Sequence, residues 1–340
     1  MKIRMAAFTK QGGSLCLRLQ QELGKQGYDI ESYGKYDTEG VKPLPGSLQD
    51  FTQKAFEECQ AIVFIGAAGI AVRTVAPFIS SKDRDPAVLV IDEKGRYVIP
   101  ILSGHIGGAN KLADTVAEIL GAQAVITTAT DINERFAVDT WAVNAGCHIA
   151  NIEKIKEVSA AVLNGEQVGI CSDFPVEGRL PENVIISDDT RVGICISSVY
   201  RQCFPQTLHL VPRQYVLGIG CRKNIGCESL LDFANSVLGA NGIQPCEIEA
   251  VASIDLKAGE KALLALSRQW RIPFYTYSAT ELSQVHGEFT GSGFVKGVTG
   301  VDNVCERAAV KANNGSLVVR KISRDGMTAA VSKKEWRCRF

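Results

Sequence analysis

"RYVIPILSGHIGGANKLADTVAEIL", Arg96 to Leu120, joins an apolar run, a glycine-rich turn and a run with helical spacing. The turn itself, "LSGHIGGAN" (Leu102–Asn110), surrounds His105 with Gly104, Gly107 and Gly108. A single glycine suffices to reach positive φ, so this many permissive residues predict close approach of the backbone to something else. An apolar strand, a short turn and then a helix is the repeating unit of a layered α/β domain.

The same rhythm extends on both sides of the turn. "KIRMAAF" reads as a strand, followed by a helix near Ser14–Lys25, the strand "YDIESYG", and a helix near Leu48–Glu58. "AIVFIG" leads into "GIAVRTVAPFI", which has helical spacing, and "AVLVID" and "YVIPIL" are strands separated by the hairpin-like turn "EKGR". The helix after Gly108 ends at Gly121, and "AVITTA" follows. Residues 1–131 therefore read as an N-terminal α/β domain. Residues 132–212 differ in texture: two helical stretches ("RFAVDTWAVNAG", "IEKIKEVSAAVLNG") precede three short strands ("QVGICSD", "NVIISD", "RVGICIS"), as in a small α+β linker domain. From about Tyr215 the α/β rhythm resumes through "YVLGIG", "EIEAVASID" and "PFYTYS", giving a C-terminal α/β domain over 213–340. The expected fold is two α/β domains with largely parallel sheets, joined by a smaller α+β middle segment.

Bulk properties narrow the function. Across 340 residues, 37 Lys plus Arg balance 37 Asp plus Glu, so no global field points to nucleic acid or an anionic membrane. No window approaches the roughly 18 continuous apolar residues of a membrane span, and "MKIRMAAFTKQGG" reads as a first strand and turn, not a signal peptide. The eleven cysteines are scattered without a CxxC pair, which argues against a zinc site, an iron–sulfur cluster or a disulfide scaffold. A reduced, cytoplasmic protein without a metal site is the expectation.

Three strand–turn–helix stretches are candidate anion sites, because a helix N-terminus presents unpaired N–H groups and a partial positive charge. "VFIGAAGIAVR" offers Gly66, Gly69 and, in the first helical turn or two, Arg73; the opening stretch adds Ser103, Gly104, Gly107, Gly108 and Asn110; "VLGIGCRKNIG" adds Gly220, Cys221, Arg222 and Lys223. None matches a nucleotide-binding fingerprint, and βα turns need such residues for their own geometry. His105 alone among the four histidines falls in one of these turns, where an imidazole can act as acid or base or simply cap the loop. Thr128 and Asp131 follow a strand and can bind a ligand or cap the next helix; Ser253, Asp255, Lys257 and Glu260 end another strand; Asp302, Asn303, Cys305 and Glu306 open a helix. Cys221 and Cys305 lack an evident histidine partner for nucleophilic chemistry.

"GAAGIAVR", "DPAVLVIDEKGRYVIPILSGHIGGANKLA", "VITTATD", "LGIGCRK", "ASIDLK", "IPFYTYS" and "VTGVDNVCERAA", in this order, resemble the CbiG family, the cobalt-precorrin-5A hydrolases of anaerobic cobalamin biosynthesis. The resemblance covers almost the whole chain and is most specific at "SGHIGGAN" and "GVDNVCE". It implies a cobalt-containing tetrapyrrole substrate whose ring A acetate is closed as a δ-lactone onto the meso carbon between rings A and D. Water opens the lactone, and the meso carbon leaves with its methyl group as acetaldehyde, giving cobalt-precorrin-5B. Cobalt then belongs to the substrate and no cofactor is needed.

On that reading His105 activates the water or steadies the lactone, and Asp255 or Asp302 assists proton transfer in the carbon–carbon cleavage. The Gly-rich turns with Arg73, Arg222 and Lys223 bind the macrocycle's carboxylates. Neighbouring cobalamin-pathway enzymes and a second copy in a homodimer are the macromolecular partners left open; nucleic acid and membrane are not expected. The competing readings are a non-catalytic tetrapyrrole- or carboxylate-binding module that escorts an intermediate, and a nucleotide- or sugar-phosphate-using α/β enzyme, which the missing phosphate fingerprint disfavours.

Overall fold

Ile3, Met5 and Ala7 are buried in one apolar core, while Ala6 between them is buried in another. Ala61, Val63 and Ile65 against Ile62 and Phe64 repeat the division. This period-two split is what a strand shows when helices cover both faces of its sheet, and it explains why these strands read as continuous apolar runs. Each such Ile, Val or Phe side chain contributes about 1.5–3 kcal/mol on burial.

The computed structural model describes residues 1–81, 84–133, 135–293, 297 and 299–340, without the side chains of Thr130 and Asp131. The chain forms two compact units, Met1–Trp141 with Ser159–Glu166, and Ala142–Val158 with Gln167–Phe340.

The first unit runs β1 (Lys2–Ala7), α1 (Lys10–Lys25), β2 (Asp29–Gly34), β3 (Lys42–Pro43), α2 (Leu48–Glu58), β4 (Ala61–Ile65), α3 (Ala68–Val75), β5 (Ala87–Ile91), β6 (Tyr97–Leu102), α4 (Ala109–Leu120), β7 (Gln123–Ala124), α5 (Ala129–Ile132) and the start of α6 (Val138–Asn144). Its seven-stranded sheet has the order β3-β2-β1-β4-β5-β6-β7. All neighbours are parallel except β5 and β6. α1 and α4 cover one face through Leu19, Leu23, Leu112 and Val116, and α2 and α3 the other through Phe51, Ala55, Ala71 and Val75.

The "EKGR" hairpin forms as expected. The Asp92 carboxylate accepts hydrogen bonds from the backbone N–H groups of Lys94 (3.1 Å), Arg96 (2.7 Å) and Tyr97 (2.7 Å), and Gly95 takes φ +65°. The hairpin also has a consequence for function. Leu102 pairs with Val88 at the start of β5, so β6 points its carboxyl end at the edge where the parallel strands begin.

The second unit contains β8 (Cys147–Ile149), the first residues of α7 (Ile155–Leu163), β9 (Val168–Ser172), β10 (Val176–Glu177), β11 (Val184–Ile186), β12 (Val192–Ile196) and β13 (Gln206–Pro212). All of these strands except β10 form a five-stranded sheet, β11-β9-β12-β13-β8, parallel except at β13–β8. β14 (Tyr215–Cys221), α8 (Cys227–Ala240), β15 (Ile248–Ile254), α9 (Lys261–Trp270), β16 (Phe274–Tyr277), α10 (Ala279–Ser283), α11 (Cys305–Asn313), β17 (Ser316–Arg324) and β18 (Met327–Lys333) follow. Their sheet, β16-β15-β14-β18-β17, is parallel on the β16–β15–β14 side and antiparallel on the other. Finally β19 (Cys338–Arg339) pairs with β10, tying the last residues back to the 168–212 region.

Candidate active site

The glycines of the "SGHIGG" turn serve the turn's own closure. A Cβ on Gly107 would lie 2.4 Å from the Ser103 Cβ, and one on Gly104 2.7 Å from the Asn110 Oδ1. Gly108 takes φ +79° as the N-cap of α4, and Ser103 itself sits at φ +56°. The backbone N–H groups of Ala109 and Asn110 donate to the carbonyls of Ser103 and Gly104, and the Ser103 hydroxyl donates to the Asp85 carbonyl at 3.0 Å. The Asn110 side chain reaches across to the Thr128 hydroxyl, 3.1 Å away. Ser103, Gly104, Gly107, Gly108, Asn110 and Thr128 are thus gathered in one place. The side chain of Asp131 lies outside the described residues.

This wound turn presents His105 to Asp139. The imidazole Nδ1 lies 3.1 Å from the Asp139 Oδ2, with side chains only 12% and 10% exposed. Burial works to raise the Asp139 carboxyl. The His105 hydrogen bond and charge and the Thr140 N–H (2.9 Å from Oδ1) outweigh it, so the group is held below the usual range. An ionised carboxylate only accepts, so Nδ1 is the donor in this pair, and in the neutral imidazole the lone pair then belongs to Nε2. That is the arrangement by which a carboxylate orients a general base.

Asp139 was not among the residues singled out from the sequence. It stands 34 positions after His105 in the first turn of α6, inside "RFAVDTWAVNAG", and its signal was the single acid of that helical run.

Gly66 and Gly69 lie elsewhere in the same unit. They follow β4 at the carboxyl edge of the parallel strands, while the His105 turn follows the reversed β6 at the opposite edge. β2 and β4 flank β1 on its two sides, so the Gly66 turn and Thr9, the N-cap of α1, sit at the sheet's topological switch point, where open α/β sheets take ligands. Gly66, at φ +154°, leaves room for the Phe8 ring, 2.7 Å from where a Cβ would stand; a Cβ on Gly69 would meet nothing beyond its own helix within 4 Å. Arg73 is exposed in the second and last turn of α3, within the first turn or two expected from the spacing.

In the second unit the carboxyl ends of β14 and β15 share one edge. Asp255 is exposed there, its Oδ1 accepting from the Leu256 N–H at 2.7 Å. The Glu260 carboxylate joins the two turns, accepting from the Lys257 ammonium (3.4 Å) and the Asn224 N–H (3.1 Å). Burial pushes the Cys221 thiol up, with the Lys257 charge acting in the opposite sense. Arg222 and Lys223 are exposed; the Arg222 guanidinium donates to the Asp325 carbonyl at 2.9 Å and borders a cleft of about 490 Å³ with Ile225, Arg324 and Met327.

Four expected ligand-binding residues are instead built into this unit's packing. The Ser253 hydroxyl is fully buried and donates to the Ile219 carbonyl at 2.6 Å, joining β15 to β14. Gly220 has no Cβ because the Thr328 hydroxyl would stand 2.6 Å from it. Glu306, fully buried, accepts from the Thr290 N–H and hydroxyl, the Asn303 amide and the Lys321 N–H. Asn303 in turn accepts from the Glu306 N–H at 2.9 Å, so the two residues are bonded to each other in both directions just ahead of α11. Asp302 is partly exposed and ion-paired with Arg307 at 3.1 Å. Cys305 is buried, its thiol pushed up to about 11 by burial, which suits packing and not nucleophilic attack.

The matching family models divide the chain as "Cobalamin synthesis G N-terminal" over residues 50–131, "Cobalamin biosynthesis central region" over 136–212 and "Cobalamin synthesis G C-terminus" over 215–332. The cobalt-precorrin-5A hydrolase of Salmonella typhimurium is 35% identical over 341 residues, covering 96% of both chains. That of Priestia megaterium is 27% identical, covering 90% of this chain and 87% of the other. The protein CobE of a Sinorhizobium species is 32% identical over 120 residues, 34% of this chain and 78% of its own. With the three models matching in order along its length, the chain belongs to the cobalamin synthesis G (CbiG) family.

Proposed function

We propose that this protein is a cobalt-precorrin-5A hydrolase, which opens the ring A δ-lactone of its substrate and releases acetaldehyde to give cobalt-precorrin-5B in anaerobic cobalamin biosynthesis. The observation that carries this reading is the likeness to the Salmonella hydrolase over 96% of both chains. The buried His105–Asp139 pair supplies the chemistry such a reaction asks of the protein.

Nε2 of His105 takes a proton from water, and the resulting hydroxide equivalent attacks the lactone carbonyl carbon. The acyl–oxygen bond breaks, freeing the ring A acetate as a carboxylate and leaving the oxygen on the meso carbon. That oxygen becomes the carbonyl of acetaldehyde as the one remaining bond that holds this carbon to the contracted macrocycle breaks, and the macrocycle keeps the electron pair and takes a proton. Both steps are acid–base chemistry, so cobalt enters as part of the substrate and this reading asks for no added cofactor. Asp255 and Asp302, both partly or fully exposed, are the second unit's candidates for handling the later proton.

The substrate's acetates and propionates need cations. Arg222 and Arg324, which line one cleft together with Asp232 and Asp325, and Lys223 nearby in sequence are the groups we assign to them, and Gly66, Gly69 and Thr9 at the switch point form the second place suited to a carboxylate. No helix among the described residues is long and apolar enough to cross a membrane, and eleven free cysteines suit a reducing compartment, so we place the protein in the cytoplasm. Purified protein incubated anaerobically with the cobalt-lactone intermediate tests the reading. Stoichiometric acetaldehyde and a product lighter by the two-carbon fragment are expected. Tight binding seen by absorbance without any two-carbon loss would overturn it in favour of the escort reading.

A further inference from the structure

Three thiols converge in the second unit, on β9, on β12 and on the loop after β12. Cys171 on β9 and Cys195 on β12 are direct partners in the parallel register, so their side chains stand side by side on one face of the sheet. Cys203, from the loop between β12 and β13, places its sulfur 2.9 Å from that of Cys171 and 3.3 Å from that of Cys195. All three sulfurs lie within 4.8 Å of one another. Spacings of 24 and 8 residues hide this trio from any search for short cysteine pairs.

The position of Cys203 is fixed by its neighbour. The Phe204 ring fills the space left by two glycines of the sheet: a Cβ on Gly169 would come 2.5 Å from it, and one on Gly193 2.4 Å. The Phe204 N–H and carbonyl are both bonded to the Thr207 hydroxyl at 2.8 Å. Cys203 is thereby held over the two strands. Cys195 is fully buried, whereas Cys171 and Cys203 keep some contact with solvent. All three thiols are pushed up, Cys171 chiefly by its hydrogen bond with Cys203 and Cys195 and Cys203 chiefly by burial, while the charge of Arg201, paired with Asp173, acts on each in the opposite sense.

We propose that Cys171, Cys195 and Cys203 form a three-thiolate site for a thiophilic cation of the zinc(II) type, with a fourth position open to solvent. Sulfurs around tetrahedral zinc stand about 3.8 Å apart, given Zn–S bonds of about 2.3 Å, so the trio needs to spread by less than 1 Å at its tightest pair. Soft sulfur ligands select zinc or monovalent copper over hard cations. Each thiol gives up its proton as the cation enters, so binding releases up to three protons, and the net negative charge of three thiolates on a divalent cation faces the Arg201 guanidinium. The bound ion ties the β12–β13 loop to the sheet.

The test uses the full-length protein, reduced and metal-free under anaerobic conditions. Titration with Co(II) is expected to give a sulfur-to-cobalt charge-transfer band saturating at one equivalent, bleached by one equivalent of Zn(II), with proton release on zinc addition. Cys203→Ser, on a loop and partly exposed, is expected to lower the affinity at least tenfold, while Cys227→Ser, on an exposed helix position, leaves the titration unchanged. Cys195→Ser is a second variant inside the sheet. Absence of the band overturns the proposal, as does a band that survives unchanged in Cys203→Ser. A Cys171–Cys203 disulfide forming under dilute peroxide in protein that shows no cobalt band would also overturn it, making the cluster a redox pair.

Discussion

The turns after β4 and after β6 read alike in sequence, each an apolar strand, a cluster of glycines and a helix, yet they do opposite things. The β4 turn follows a strand of the parallel set and opens at the switch point, where a Cβ on Gly69 would meet nothing beyond its own helix within 4 Å. The β6 turn follows the reversed strand of a hairpin, lies at the other edge, and winds so tightly that Gly104 and Gly107 are required by Asn110 and Ser103. The first leaves open space over its glycine; the second is a clamp that holds an imidazole against a carboxylate. Glycine content reports how closely atoms approach, and strand direction and register decide whether the approaching atoms belong to a ligand or to the protein.

Substitutions can separate the two turns. His105→Ala is expected to show the largest effect, a loss of about 10²–10⁴-fold in acetaldehyde release with substrate binding retained by absorbance. Unchanged turnover would reduce the β6 turn to a structural loop. Asp139→Asn keeps the packing but frees the imidazole to adopt the other tautomer, so kcat should fall about 10–100-fold with KM little changed.

The same variant has a pH signature. The folded Asp139 carboxyl is held below its unfolded value of about 3.9, so its stabilisation is complete above that value and is lost as pH falls through the folded one. The thermal midpoint of the wild type should therefore drop more steeply than that of Asp139→Asn as pH falls from about 5 to 3. Parallel curves would mean the pair contributes nothing to folding.

Gly107→Ala sets a methyl group 2.4 Å from the Ser103 Cβ and should cost about 1–3 kcal/mol in denaturant melts. Gly69→Ala, in open space at the start of α3, should be neutral or up to about 1 kcal/mol more stable. If Gly69→Ala nevertheless raises KM severalfold, the switch-point turn touches substrate.

Much of the fold was legible because strands covered on both faces are almost wholly apolar and their turns carry Gly and Asp. The "EKGR" hairpin and the left-handed Gly121 that ends α4 are local features with local signals. The family likewise was carried by short motifs. What the sequence hid depends on long-range pairing. The reversal of β6 separated Gly66 from His105, although both turns look like carboxyl-end loops. Asp139 reaches His105 across 34 residues, with no spacing rule to flag it. Ser253 and Glu306 have ligand-like chemistry but point into packing, because a hydroxyl or carboxylate beside a strand end serves a neighbouring carbonyl or N–H as readily as a substrate. The three-thiol cluster arises only from parallel register and a pinned loop.

The most direct test of the central claim is single-turnover acetaldehyde release by wild type, His105→Ala and Asp139→Asn, each saturated with the cobalt-lactone substrate. The account predicts a fast burst for wild type, a rate lowered about 10–100-fold for Asp139→Asn and one lower still for His105→Ala, with equal substrate bound in all three. Wild-type rates in both variants would contradict it and move the chemistry away from the β6 turn.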